Sequence, residues 1–165
     1  MVRIWPAVLI AINSQMQLHK LIASIAGIGF IKGGGTLASI LYCIIWYLLP
    51  AGFSNSLWQI TSTLIVTAIG IWTANKVDAC WGKDSSKVVI DEFAGMAITL
   101  LFIPHNIALL VAGLILFRFF DIVKPLGIRR MEMFPKGWGV MADDILSGIY
   151  ALIIMTVVVY FKLLY

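Results

Sequence analysis

The chain has 165 residues, of which 61% are apolar and only 12% are charged, about half the charged share of an average soluble domain. This excludes a disordered chain and an ordinary soluble domain. The formal charge of +4, from 12 basic and 8 acidic residues, is too small and too interleaved with apolar sequence for a nucleic-acid groove.

No Asp, Glu, Lys or Arg occurs in 33–75, 93–117 or 145–161, gaps of 43, 25 and 17 residues. A bilayer core takes roughly 20 helical residues to cross, so the chain reads as an all-α polytopic membrane protein. Residues 4–30 are apolar but interrupted by Asn13, Gln15, Gln17 and His19, which suits a helix lying at the membrane surface better than a span. With no small-residue cleavage site after Arg3, this segment reads as retained. Lys32-Gly33-Gly34-Gly35-Thr36 is a basic, flexible break, followed by a helix over 37–49 that Pro50, Gly52, Ser54 and Asn55 close. A second crossing over 57–74 meets a polar loop with Lys76, Asp78, Lys83, Asp84 and Lys87. Further helices are predicted over 88–103, 107–120 and 145–161, with a turn at Pro104-His105-Asn106 and a charged segment over 118–144. The organisation is thus a single membrane domain over 1–165: an interfacial N-terminal helix in 1–31, and in 32–165 a helical bundle of about four to five membrane helices. Cys43 and Cys80 form no CxxC pair and read as free thiols.

In this topology Lys32, Lys76, Lys83, Lys87, Arg118, Lys124, Arg129, Arg130 and Lys136 share one face, while the turns at 50–56 and 104–106 carry no basic residue. Positive loops stay cytoplasmic, so the charged face is expected in the cytoplasm. The acidic residues gather there too. Asp78 and Asp84 share a loop, Asp91 and Glu92 open the helix over 88–103, Asp121 closes the next, and Asp143 and Asp144 open the last.

Carboxylates at helix N-termini gain from the dipole even when they do nothing else. Here, however, Asp91-Glu-Phe-Ala-Gly95 and Asp144-Ile-Leu-Ser-Gly148 both place Gly four residues after Asp. Positions i and i+4 share a helix face, and a glycine there lets a neighbouring helix approach closely. Two acidic helix starts pressed together cannot all stay ionised without a cation. Oxygen-only ligands of this kind suit Mg²⁺, which typically takes one or two carboxylates together with water and phosphate oxygens. Arg118, three residues before Asp121, and Lys124-Pro125 add cations that fit a phosphate partner. The three glycines before Thr36 offer backbone amides to a phosphate or a hinge to the chain. His19 and His105 stand far in sequence from the acidic set.

Three segments in order, Asp84-x6-Asp91-Glu-Phe-Ala-Gly-Met96, Arg118-Phe-Phe-Asp121-Ile-Val-Lys124-Pro125 and Gly137-Trp-Gly139-Val-Met-Ala-Asp143-Asp144-Ile-Leu-Ser-Gly148, resemble the phosphatidylglycerophosphatase A family from about residue 27 onward. The resemblance implies a Mg²⁺-dependent, multi-pass phosphatase of the bacterial inner membrane, with its active site facing the cytoplasm. Its implied reaction removes the terminal phosphate of phosphatidylglycerophosphate to give phosphatidylglycerol. The family's acidic positions carry over to Asp84, Asp91, Glu92, Asp121, Asp143 and Asp144 as metal ligands, with Asp91, Glu92, Asp143 and Asp144 catalytic. Its basic positions carry over to Arg118 and Lys124 as substrate-binding, and Thr36 and Ser39 match its Pro-Gly-Thr-x-Gly-Ser loop in part, the chain reading Gly34-Gly35-Thr36-Leu37-Ala38-Ser39. Gly127 stands where the family has the second proline of Lys-Pro-x-Pro, and Lys136 where a glycine is usual.

Rival chemistries lack their residues. Cys80 is followed six positions on by Ser86 rather than the arginine of a cysteine phosphatase, and neither a Pro-Ser-Gly-His segment nor the Asp-Gly-x2-Ala-Arg run of CDP-alcohol transferases occurs. The alternative from another class is a small ion transporter or channel subunit using clustered carboxylates. Such a protein places them near mid-span, whereas here they gather at helix ends.

Overall fold

A computed structural model of the chain describes residues 6–83 and 85–164. Among them every regular element is helical. In order these are α1 (Pro6–Ala23), α2 (Gly34–Leu48), α3 (Leu57–Trp81), α4 (Ile90–Thr99), α5 (Ile107–Val123) and α6 (Gly137–Tyr160), with short 3-10 turns at Ile28–Phe30, Ala51–Asn55 and Ile128–Met133. The expected all-α class is met.

Local chemistry sets the starts. The Ser56 hydroxyl accepts the Gln59 N–H at the head of α3, and the Asn106 side chain accepts the N–H groups of Ala108 and Leu109 at the head of α5, each satisfying amides that a helix leaves orphaned. Tertiary contacts set several ends. Gln59, fully buried, reaches from α3 to donate to Leu100 O at 2.7 Å and accept the Phe102 N–H at 3.2 Å. The apolar run expected to be helical over 88–103 therefore stops at Thr99 and turns. The helix expected over 57–74 continues to Trp81 and ends at Gly82, whose φ of 82° is cheap only for glycine, so Asp78 is helical rather than in a loop. The last helix begins at Gly137 instead of 145. Its first N–H donates to Asn75 Oδ1 at 3.1 Å, and a Cβ on Gly137 would strike the α3 backbone. Asp143 and Asp144 consequently lie nearly two turns inside α6 rather than at its opening.

Successive helices from α2 onward alternate in direction. The N-termini of α2, α4 and α6 and the C-termini of α3 and α5 thus meet at one end, where Gly35 touches Glu92, Asn75 holds Gly137 and Lys124 meets Asp143. The N-terminal segment is helical up to Ala23 and packs on the bundle. α1 runs back along the C-terminal half of α3, with His19 edge-on to Trp72 at 4.6 Å, and the Val89 N–H donates to Ala23 O at 2.9 Å, tying its end to the start of α4.

Trp46, Met96, Leu100, Phe117 and Met155 form the main core, and Ala74, Val77, Ile90 and Met141 a second one nearer the acidic end. The outside is apolar as well, with Ile44, Leu64, Ile115 and Ile153 all exposed. Among the described residues two helices, α3 and α6, are long and apolar enough to cross a membrane, short of the four to five expected. The helices α2, α4 and α5 have 15, 10 and 17 residues. At 1.5 Å per residue α4 covers about 15 Å, half a hydrocarbon core.

Candidate active site

The site is organised by the crossing of two parallel helices. A Cβ on Gly148 of α6 would strike the carbonyl of Gly95 on α4, and one on Gly95 would lie 2.7 Å from Asp144 O and against the Phe117 ring. The backbones touch at that point, as the repeated Asp-x3-Gly spacing predicts. One turn before each glycine, on the same face, stand Asp91 and Asp144. They are 7% and 3% exposed, and with Glu92 they place three carboxylate oxygens within 4.8 Å of one another.

One oxygen of each, Asp91 Oδ1, Glu92 Oε2 and Asp144 Oδ1, is buried without a hydrogen-bond partner. Buried carboxylates are ordinarily paired, and like charges this close disfavour each other's ionised form. The donor set is all oxygen, closely spaced and partly desolvated, which fits a hard divalent cation. Asp91 and Glu92 also sit in the first turn of α4, where the helix dipole favours negative charge.

The remaining predicted ligands divide. Asp121 pairs with Arg118 one turn earlier on α5, and Asp143, 4% exposed, pairs with Lys124. Both stay close enough for their charges to bear on Asp144, but neither belongs to the three-oxygen group. Asp84 lies outside the described residues. Arg118 extends to Glu92 at 3.9 Å and faces the open cavity.

Lys124 caps α5 in a left-handed conformation, φ 48°, with its ammonium held between Asp143 and Glu132, the latter at 2.7 Å. Its partners here are these carboxylates and it does not line the cavity described below, so in this structure it holds Asp143. Burial alone would lower its pKa, but the two ion pairs outweigh that and raise it above the usual lysine range. Because the folded pKa is raised, this stabilisation is fully present below the ordinary lysine value of about 10.4 and is lost only as pH climbs through the folded one. Lys124→Met is therefore expected to leave Asp143 buried and unpaired, costing about 3 kcal/mol or more. Thermal unfolding at neutral pH checks this, with Asp143→Asn added to Lys124→Met restoring most of the loss.

The entrance was only half legible. Gly34 and Gly35 open α2 after Gly33, whose φ is 80°. A Cβ on Gly35 would overlap Glu92 Oε1, so the glycine-rich break forms one wall of the acidic cluster. Between this break, Ser86, Lys87, Glu92 and Arg118 lies a polar cavity of about 590 Å³. Thr36 lines it as expected. Ser39 does not; it is buried and donates to Gly35 O within its own helix. Lys87 was not expected at the site, yet it lies 5.8 Å from the Phe30 and Trp81 rings at the cavity rim. Glu132 has no place in the sequence reading either, and its isolation as the one carboxylate between Pro125 and Ala142 was the available signal.

Comparison with known proteins decides the family. The model of the phosphatidylglycerophosphatase A family matches residues 21–159. This chain belongs to that family. A Bacteroides thetaiotaomicron protein named "Putative phosphatidylinositol-3-phosphatase" is 49% identical over 129 residues, 75% of this chain and 79% of that one. The phosphatidylglycerophosphatase A of Escherichia coli is 34% identical over 123 residues, 70% of this chain and 67% of its own length. That of Haemophilus influenzae is 38% identical over 104 residues, 61% and 64% of the two chains. No solved structure matches. Membership makes the protein a lipid phosphatase, a phosphoric monoester hydrolase, and the acidic crossing falls inside the matched span.

Proposed function

We propose that the chain hydrolyses the terminal phosphomonoester of phosphatidylglycerophosphate, giving phosphatidylglycerol and phosphate, with Mg²⁺ at the cytoplasmic face of a bacterial inner membrane. The observation that carries this reading is the group of three carboxylate oxygens within 4.8 Å, set beside a cavity walled by glycines, Lys87 and Arg118. Asp91, Glu92 and Asp144 would hold the metal, with Asp121 and Asp143 as flanking charges. Bound there, the ion supplies charge neutralisation to the phosphoryl oxygens.

The chain's own groups do the rest. Arg118 offers a guanidinium to the phosphoryl oxygens, and the α2 N-terminus presents its free amides and dipole to the same anion. Glu92, at the cavity wall, accepts the proton of the attacking water as the new P–O bond forms. The P–O bond to the glycerol oxygen breaks opposite the new one, that oxygen takes a proton from solvent, and Glu92 gives its own up to solvent.

Membrane embedding is supported by the apolar outer surface and by α3 and α6. In this reading α2, α4 and α5 pack between them as further membrane helices, α4 reaching only about half-way across, while α1 lies against the C-terminal half of α3. The gathering of basic residues at the acidic end supports the cytoplasmic orientation. The ion-transport alternative loses its footing in a phosphatase family.

The test is phosphate release from phosphatidylglycerophosphate in mixed micelles. Chelation is expected to abolish it and Mg²⁺ to restore it. Phosphatidylinositol 3-phosphate serves as a parallel substrate because of the name of the 49% identical relative. Release that survives chelation would overturn the metal reading, and release from the inositol lipid alone would overturn the substrate.

A further inference from the structure

Below the polar cavity the bundle has an opening that the chemistry just described does not use. It lies between α2 and α3 with α4 as its floor and encloses about 270 Å³. Tyr42, Trp46 and Leu49 form one wall, Val66 the other, and Phe93 and Ala97 the floor. The two hydroxyls on the α3 side, Ser62 and Thr63, both donate to Gln59 O, at 3.0 and 2.8 Å. They make no demand on a guest, and what remains is a hydrocarbon surface.

Position makes the groove specific. Phe93 follows Glu92 directly on α4, so the groove and the cavity draw on neighbouring residues of one helix. A shallower apolar groove at Ile22, Ile25 and Ile90 shares Val66 and Phe93 with it. The apolar surface thus reaches up toward the turn at Ile28–Phe30 that walls the cavity. Depth fits as well. Gly35 touches Glu92 at the head of α2; Tyr42 lies about 10 Å and Leu49 about 21 Å further along that helix. One leaflet of hydrocarbon is about 15 Å deep.

We infer that the groove between α2 and α3 holds one acyl chain of the same glycerophospholipid molecule whose phosphorylated headgroup fills the polar cavity. This rests on the lipid-phosphatase reading and extends it to the tail. A chain seated there tethers the headgroup beside Asp91, Glu92 and Asp144. Binding energy from a part of the substrate remote from the reaction then positions the reacting phosphate.

The test uses the full chain in vesicles of phosphatidylcholine containing phosphatidylglycerophosphate, with a mid-chain diazirine on one lipid or the other. Label from the phosphorylated lipid is expected on the segments around Tyr42–Leu49 and Ser62–Val66, several-fold above label from phosphatidylcholine. Both lipids should mark the exposed Ile115 and Ile153 faces equally. Ser62→Trp, which fills the groove from α3, should remove the enrichment, with Ile45→Trp doing so from α2 and Ser62→Ala leaving it intact. Hydrolysis of the full lipid by Ser62→Trp should fall at least about tenfold, while hydrolysis of the deacylated, water-soluble headgroup is unchanged, which also certifies that the variant folds. Labelling spread evenly over the outer faces, or a tryptophan that slows lipid and headgroup alike, overturns the inference. Labelling needs no turnover, so it decides the groove even if phosphatidylglycerophosphate is not hydrolysed.

Discussion

Asp144→Asn is expected to lower phosphate release by more than about 100-fold, because losing even an outer-shell partner of a metal site typically costs 10- to 100-fold and Asp144 is one of the three residues whose oxygens converge. Stability should move in the opposite sense. Two ionised carboxylates within 4.8 Å of each other would repel by about 3 kcal/mol or more at an effective dielectric of 20, so the metal-free protein must either bear that repulsion or hold a proton there, and an amide removes the conflict. Metal-free Asp144→Asn should therefore melt at or above metal-free parent protein. Added Mg²⁺ should raise the parent's melting temperature, by about 2.7 kcal/mol of stabilisation at a hundredfold excess over Kd, and leave the variant unmoved. Full activity in Asp144→Asn, or an equal Mg²⁺ shift in both proteins, would remove the carboxylate cluster from the mechanism.

The second large effect lies in the scaffold. Gly148→Ala places a methyl against the Gly95 carbonyl, a backbone atom that no rotamer change can move. The helices must separate, at about 1–3 kcal/mol for an overpacked contact. Because Asp91 and Asp144 sit one turn from that contact, the separation reaches the oxygens directly, and a misplacement of about 1 Å can cost 100-fold in rate. The expected variant is folded, modestly less stable and nearly inactive, with weakened Mg²⁺ affinity by titration. Gly52→Ala, where an added Cβ meets nothing within 4 Å, is the matched control and should match the parent.

That crossing was readable from sequence because its information is local: Asp and Gly one helical turn apart, twice. The family motifs were readable for the same reason. What escaped was held by contacts distant in sequence. Nothing near Leu100 signals that α4 stops there, since the stopper, Gln59, lies 41 residues earlier. The start of α6 was set too late because a charge-free gap marks where the apolar part of a helix begins rather than where its hydrogen bonds begin. Asn75, 62 residues away from Gly137, anchors that start. The pairing of Lys124 with Glu132 and Asp143 was hidden because these partners stand 8 and 19 residues downstream, beyond any helical spacing. Gly35 against Glu92 is a pairing of the same kind.

The glycine contact between α4 and α6 carries a last consequence. All three converging carboxylates ride on rods welded backbone to backbone, whereas the cavity rim includes Gly33, Thr36 and the exposed Lys87. Lys87 stands on the turn before α4, off that crossing, so in the proposed reading its exchange would change what the cavity admits while leaving the mount of the acidic oxygens untouched.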